Sequence, residues 1–249
     1  MFGERLRQWR KARGLSQLQL ALRSDLSQRQ LSFLETGRSR PRRDTIGRLC
    51  AALDVPLREH NALLVLAGLP PAYAESSFGE ATTEPFARAL EHTLRAHDPY
   101  PGVLVNGWWD ILQLNRAGMR MFGDQRGENL AQLLLAEGPL RERIVNWPTV
   151  AQSVLGRLRR DARRAPFDAR LAQMCTDAEA VVGPCLPDAP SICPTFRVGE
   201  SQVRTFSLVG ELTAAHDITL DELRVELLYP ADDASSEVLR SLTEEAGAG

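Results

Sequence analysis

The feature of this sequence that most restricts its folding is a pair of helix starts. Ser16 with Gln19, and Ser27 with Gln30, each form the S-x-x-Q pattern in which the cap and the third residue satisfy each other's orphan amides. The two starts lie eleven residues apart, and the "RSDL" that runs up to the second is long enough only for a tight turn. Two short helices joined in this way must cross at a steep angle. Helix-turn-helix geometry follows from that spacing.

The flanking sequence completes a helical head. Phe2, Leu6 and Trp9 recur at steps of four and three, which places them on one helical face, and Gly14 is a natural stop. The helix that starts at Ser27 ends at Gly37, a left-handed cap residue, with Pro41 beyond it. "DTIGRLCAALDV" opens a further helix with Asp44 as its expected cap and Ile46, Leu49, Cys50 and Leu53 buried, and "LREHNALLVLAGL" adds a fifth. Charge is shared unevenly. Through Leu69 thirteen bases stand against six acids, a net +7, while the rest of the 249-residue chain carries −9. Arg38, Arg40, Arg42 and Arg43 crowd six residues directly behind the second capped helix. An arginine-rich loop is ordinarily solvated surface, but behind a capped helix in a basic domain it falls where a nucleic-acid backbone would flank that helix. A polyanionic partner is the expectation.

"RKARGLSQLQLA", "LSQRQLSFLETGRSRP" and "LCAALDVP" resemble the phage-repressor-type, or xenobiotic-response-element, helix-turn-helix domain, over about the first seventy residues. The resemblance implies binding to a double-stranded DNA operator: the helix after the turn enters the major groove and reads base edges with Gln28, Arg29 and Ser32, with Ser27, Gln30 and Phe33 nearby. Gln suits adenine and Arg suits guanine, because each makes a bidentate pair there. Gln17, at the start of the preceding helix, would hold phosphate, as would Arg38, Arg40, Arg42 and Arg43 in the loop. The resemblance also implies an internal ion pair between Arg10 and Glu35. Asp25 stands where the family's turn usually carries Gly; Asp tolerates the left-handed conformation.

"LPPAYAESSFGEATTE" holds helix breakers and no sustained period, and so marks a boundary. The expected layout is a domain over 1–70, a linker over 71–84, a second domain over 85–245 and a polar tail over 246–249. In the second domain "PFARALEHTLRAH" reads as a helix, and "GVLVN" and "WWDILQLN" read as strands meeting near Asn106 and Gly107, with Trp108 and Trp109 on opposite faces. "RAGMRMFG", "NWPTVAQSVLGRLRRD" and "FDARLAQMCTDAE" are helical; "TFRV", "SQVRTFSLVGEL" and "LRVELLYPA" are strands; "SEVLRSL" closes the chain as a helix. Antiparallel strands with helices on one side make an α+β layer, so the fold class is a mainly α head followed by an α+β body.

That body resembles the MmyB-like ligand-binding domain of bacterial transcription regulators, a PAS-like fold. The resemblance is carried by "HNALLVLAGLPPAY", "PYPGVLVNGWWDILQLNRAGMRMFG", "NLAQLLL", "RIVNW", "FDARLAQM" and "YPADDASSEVLRSL", while "GPCLPDAPSICPTFRV" departs from the pattern. It implies an aliphatic or acyl ligand of fatty-acid type, and no cofactor besides. By strand or helix position Trp109, Leu112, Phe122, Leu134, Trp147, Phe206 and Leu228 are the candidate lining, with Arg204 or His216 as a carboxylate anchor. Plain core packing is the alternative for each apolar member of that set.

The four cysteines, Cys50, Cys175, Cys185 and Cys193, form no CxxC pair and read as reduced thiols. None of the four histidines, His60, His92, His97 and His216, has zinc-site spacing, so no metal is expected. No phosphate loop, nucleophile elbow or carboxylate pair marks an enzyme. The start "MFGERLRQWR" is charged at once, and "ALLVLAGL" is far short of a membrane span, so a cytoplasmic protein with no membrane partner is expected. The whole reads as a homodimeric, ligand-responsive repressor on an inverted-repeat operator. The alternative is a DNA-binding regulator whose acidic body holds a protein partner of antitoxin or adaptor type and no small molecule.

Overall fold

The computed structural model describes residues 1–183, 194–212 and 216–244; Cys185, Cys193 and the tail lie outside them. The chain forms two compact units, Met1–Glu75 with Arg159–Ala172 and His216–Ile218, and Ser76–Leu158 with Gln173–Ala215 and Thr219–Gly249. Composition places the first boundary at residue 70, but the first unit runs to Glu75 because the side chains of Arg58 and Asn61 hold residues 72–75. Asn61 Oδ1 accepts from the Ala72 and Tyr73 amides at 2.8 and 3.1 Å, and Arg58 pairs with Glu75 at 2.6 Å.

The first unit contains α1 (Phe2–Ala12), α2 (Gln17–Arg23), α3 (Gln28–Glu35), α4 (Arg43–Leu53) and α5 (Leu57–Leu66). Both S-x-x-Q patterns close as complete capping boxes. Leu6 and Trp9 of α1, Leu20, Leu31, Ile46, Leu49, Leu63 and Leu64 belong to one buried core. Gly3 lets α1 descend on the end of α3: a Cβ there would lie 2.4 Å from the Leu34 carbonyl oxygen. Asp25 adopts φ +53° in the turn between α2 and α3, the left-handed geometry that turn demands. The start of α4 differs from the expectation. Its cap position is Arg42, without a side-chain hydrogen bond, and Asp44 lies inside the first turn, where it meets the positive helix end and Arg48 four residues on.

The remaining helices are α6 (Glu84–Ala96), α7 (Arg116–Phe122), α8 (Leu130–Leu135), α9 (Pro139–Glu142), α10 (Trp147–Arg164), α11 (Ala169–Val182), α12 (Ile218–Glu222) and α13 (Asp233–Glu244). The strands are β1 (Gly102–Val105), β2 (Ile111–Leu114), β3 (Thr195–Val198), β4 (Ser201–Glu211) and β5 (Arg224–Pro230), in one antiparallel sheet of order β2-β1-β5-β4-β3. Interior strand β1 is buried on both faces, which is why "GVLV" is apolar without alternation. Leu104, Val225 and Leu227 pack with Leu94 of α6, while Val103 and Val105 pack on the other face with Leu130 and Leu133 of α8. Helices therefore cover both faces of the sheet, correcting the one-sided layer read from the order of elements. β2 is also shorter than "WWDILQLN" suggests. Asn106 Oδ1 accepts from the Trp108 and Asp110 amides at 3.0 and 2.9 Å, folding 106–110 into a turn in which Trp109 has φ +68° and is buried. Side-chain capture of backbone amides here overrides the strand preference of two tryptophans.

Candidate nucleic-acid interface

A buried ion pair sets the geometry of α3. Arg10 Nε donates to Glu35 Oε1 at 2.6 Å and Nη2 to Oε2 at 2.9 Å, while Gln17 Nε2 donates to Oε2 at 2.8 Å. One carboxylate at the end of α3 thereby ties down α1 and the start of α2. Burial alone would raise the Glu35 carboxyl; the hydrogen bonds from Arg10 and Gln17 and the charges of Arg10 and Arg7 outweigh it and hold the group below the ordinary carboxylate range. The Gln17 side chain is thus engaged inside the unit.

Gln28 and Arg29 are exposed at the start of α3, with Ser32 and Phe33 half-buried on its next turn. Ser27 and Gln30 are committed to the capping box. The Phe33 ring takes two guanidiniums, Arg29 at 5.3 Å and Arg38 at 5.9 Å from its centre. The Arg38 and Ser39 amides both donate to the Phe33 carbonyl, so the arginine loop springs directly from the end of α3. Arg40 and Arg42 are exposed, and Arg43 donates to the Pro70 carbonyl at 2.7 Å. Among the described residues Arg29, Arg38, Arg40 and Arg42 make no ion pair, whereas Arg5, Arg10, Arg48 and Arg58 of the same unit do. Guanidiniums left unneutralised around one helix create a local field suited to a polyanion.

Of the seven candidate lining residues, Leu134 and Trp147 touch each other, and none lines either of the two hollows described below. Trp109 lies under the Arg157 guanidinium, 4.4 Å from its carbon, and Arg157 is bidentate with buried Glu226. Phe122 meets Phe196 edge-on at 5.5 Å, and Trp147 Nε1 donates to the Leu134 carbonyl at 2.9 Å. Leu112 packs on the α6 side of the sheet, Phe206 stacks on Tyr229 at 5.5 Å, Leu228 is buried, and Arg204 pairs with Asp232. His216 falls in the first unit. An apolar cavity of about 290 Å³ forms elsewhere, among Ala131 and Leu135 of α8, Leu158 of α10 and Met174, Ala178 and Val181 of α11, with Gln132 and Asp177 as polar members. Its lining is aliphatic and helical, so in sequence it has the same periodic signature as ordinary core. A larger open cleft of about 580 Å³ is charged, with Glu91, Arg95, Asp98, Arg116 and Arg126 at its wall.

Models of known protein families match this chain twice, a helix-turn-helix family over residues 6–60 and the MmyB-like transcription regulator ligand binding domain over residues 86–242. Both are regulatory rather than enzymatic families. No curated protein matches the chain. Among the described residues no helix is long and apolar enough to cross a membrane. With a capped, basic helix-turn-helix at one end and the second match covering more than half of its length, the chain belongs to the MmyB-like transcription regulators and is a DNA-binding regulator with a ligand-binding domain.

Proposed function

We propose that this regulator is a cytoplasmic homodimer that represses from an inverted-repeat operator, and that its second unit takes up an aliphatic or acyl ligand of fatty-acid type. The observation that carries the DNA half is the set of unpaired guanidiniums along α3 and the loop behind it. In this reading Gln28 and Arg29 meet base edges, and Arg38, Arg40 and Arg42 meet phosphates. A two-fold dimer sets its half-sites about 34 Å apart, or a multiple of it.

The sheet order supports the PAS-like reading, and the cavity supports the ligand. It is apolar and near the lower end of the roughly 300–1,000 Å³ typical of ligand sites. No cation stands among its lining residues, so an alkyl chain suits its interior, with any polar end beside Gln132 and Asp177. The test is fluorescence anisotropy on a duplex from the upstream region of the gene, across a salt series, with and without dodecanoic acid. Tight, steeply salt-dependent binding that the acid alters supports the proposal; salt-independent binding sinks its DNA half.

Exposed Phe206 and Leu208 on β4, at 45% and 50% exposure, favour a second reading in which the body takes a protein partner and no small molecule. Extraction of the purified protein into organic solvent, followed by mass spectrometry, separates the two. A co-purifying acyl compound supports the first.

A further inference from the structure

The first unit contains a segment that its helix-turn-helix sequence does not account for. Residues 159–172, comprising the end of α10, the turn after it and the start of α11, are part of that unit. Phe167 in the turn sets its ring edge-on to Trp9, centroids 5.2 Å apart at 77°, and the Arg5 guanidinium lies 4.3 Å over the Phe167 ring. Arg13 closes the last turn of α10, with Nη1 donating to the Arg163 carbonyl at 2.6 Å and Nη2 to the Arg164 carbonyl at 3.0 Å. The same guanidinium donates to the Leu53 and Asp54 carbonyls at the end of α4, at 2.7 and 2.9 Å. It satisfies the orphan carbonyls of two helix ends at once.

Arg5 and Trp9 of α1 and Arg13, the residue that caps its end, recur every four residues and continue one stripe. Two further residues of that helix, Gly3 and Arg10, hold α3. At its other side the segment continues directly into the cavity wall: Leu158 precedes it by one residue, and Met174 and Ala178 come after it on α11. A hydrogen-bonded helix is stiff over one or two turns, so a displacement at Leu158 reaches Arg163 and Arg164.

We infer that the α10–α11 turn couples the cavity to DNA recognition: Phe167 and the Arg13-capped end of α10 pass the state of the cavity to α1 and, through Arg10 and Glu35, to α3. The inference rests on the ligand reading above. It requires that filled and empty cavities hold the turn differently, since a ligand moves an equilibrium only by its differential affinity.

The test does not depend on knowing the natural ligand. Ala178→Leu, or Ala136→Leu at the rim, fills the cavity as a surrogate. Affinity is measured by anisotropy, on a duplex that the protein enriches from a randomised pool, for the wild type, Ala178→Leu, Phe167→Ala and the double variant. Filling the cavity is expected to change Kd at least about five-fold in the wild-type background, the lower end of ordinary allosteric coupling, and less than about two-fold in the Phe167→Ala background. A Phe167 that only stabilises the fold shifts both Kd values together and leaves their ratio unchanged, which overturns the inference. So does a cavity substitution with no effect on DNA binding in the wild-type background. Should Phe167→Ala not fold, Arg13→Gln, which uncaps α10, takes its place with the same expectation. Dodecanoic acid runs in parallel as a chemical probe. If calorimetry detects no binding, the ligand reading falls while the substitution cycle still decides the coupling; if the acid binds and shifts Kd equally in the wild type and in Phe167→Ala, the ligand reading stands and the coupling falls.

Discussion

Replacing Arg10 with Met removes a guanidinium but keeps an apolar stem in its place. Side-chain exposure is 11% for Arg10 and 2% for Glu35, so the carboxylate cannot turn to water when its partner is lost. It keeps only the Gln17 amide, and the Leu15 carbonyl loses the donor it has in Arg10 Nη1 at 2.9 Å. Breaking a buried pair from one side costs about 3 to 5 kcal/mol, because an uncompensated charge stays buried. The double replacement Arg10→Met/Glu35→Leu leaves no charge behind and should recover most of that loss. Urea unfolding of the full chain by circular dichroism measures both, and amide exchange over α1 to α3 assigns the loss to the first unit. The pH dependence has a defined sign. Glu35 is held below its ordinary value, so the pair's contribution is complete above the usual carboxylate range and is lost as pH falls through the depressed folded value. The gap between wild type and Arg10→Met should therefore close in acid. A cost under about 1 kcal/mol for Arg10→Met, or a double variant weaker than the single, would refute the reasoning.

Other expectations can be checked separately. Arg29→Ala should cost about 1 to 3 kcal/mol of DNA affinity and relax preference at one base pair, whereas Arg40→Ala should weaken all sequences alike and reduce the salt slope by about one; anisotropy on a panel of single-base variants distinguishes them. Gly3→Ala pushes a methyl against the Leu34 carbonyl, which is backbone and cannot swing away, so a loss of about 1 to 3 kcal/mol is expected in the same urea experiment. Burial lowers the His97 imidazole, with the hydrogen bond to the Leu228 carbonyl opposing it. The unfolded chain therefore binds that proton at higher pH than the folded chain, and stability should drop as pH falls below about 6.5. His97→Gln should make the urea midpoints at pH 7.5 and 5.5 more nearly equal, and an unchanged difference assigns the pH dependence elsewhere.

Legibility follows the range of the interactions involved. The capping boxes at Ser16 and Ser27, the left-handed turn at Asp25 and the core stripe of Phe2, Leu6 and Trp9 depend on residues within a few positions of one another, and each is readable as such. The tryptophan pair misleads because Asn106 competes for backbone amides that a strand would have used. The aromatic candidates for a pocket rest on position along single elements. The aliphatic cavity described above lies where stripes of α8, α10 and α11 meet, and nothing in one stripe distinguishes a cavity wall from packed core.

By itself the sequence determined the helix-turn-helix, the basic head and the antiparallel strands, because periodicity, caps and composition are local properties of the chain; the regulator family was legible only as a resemblance carried by its motifs. Tertiary structure alone decided which arginines stay unpaired, that helices clothe both faces of the sheet, and that residues 159–172 build themselves onto Trp9 and Arg13 of the first unit. Those outcomes turn on pairs separated by up to about 150 positions, where no local preference acts and only simultaneous burial and hydrogen-bond satisfaction select the partner.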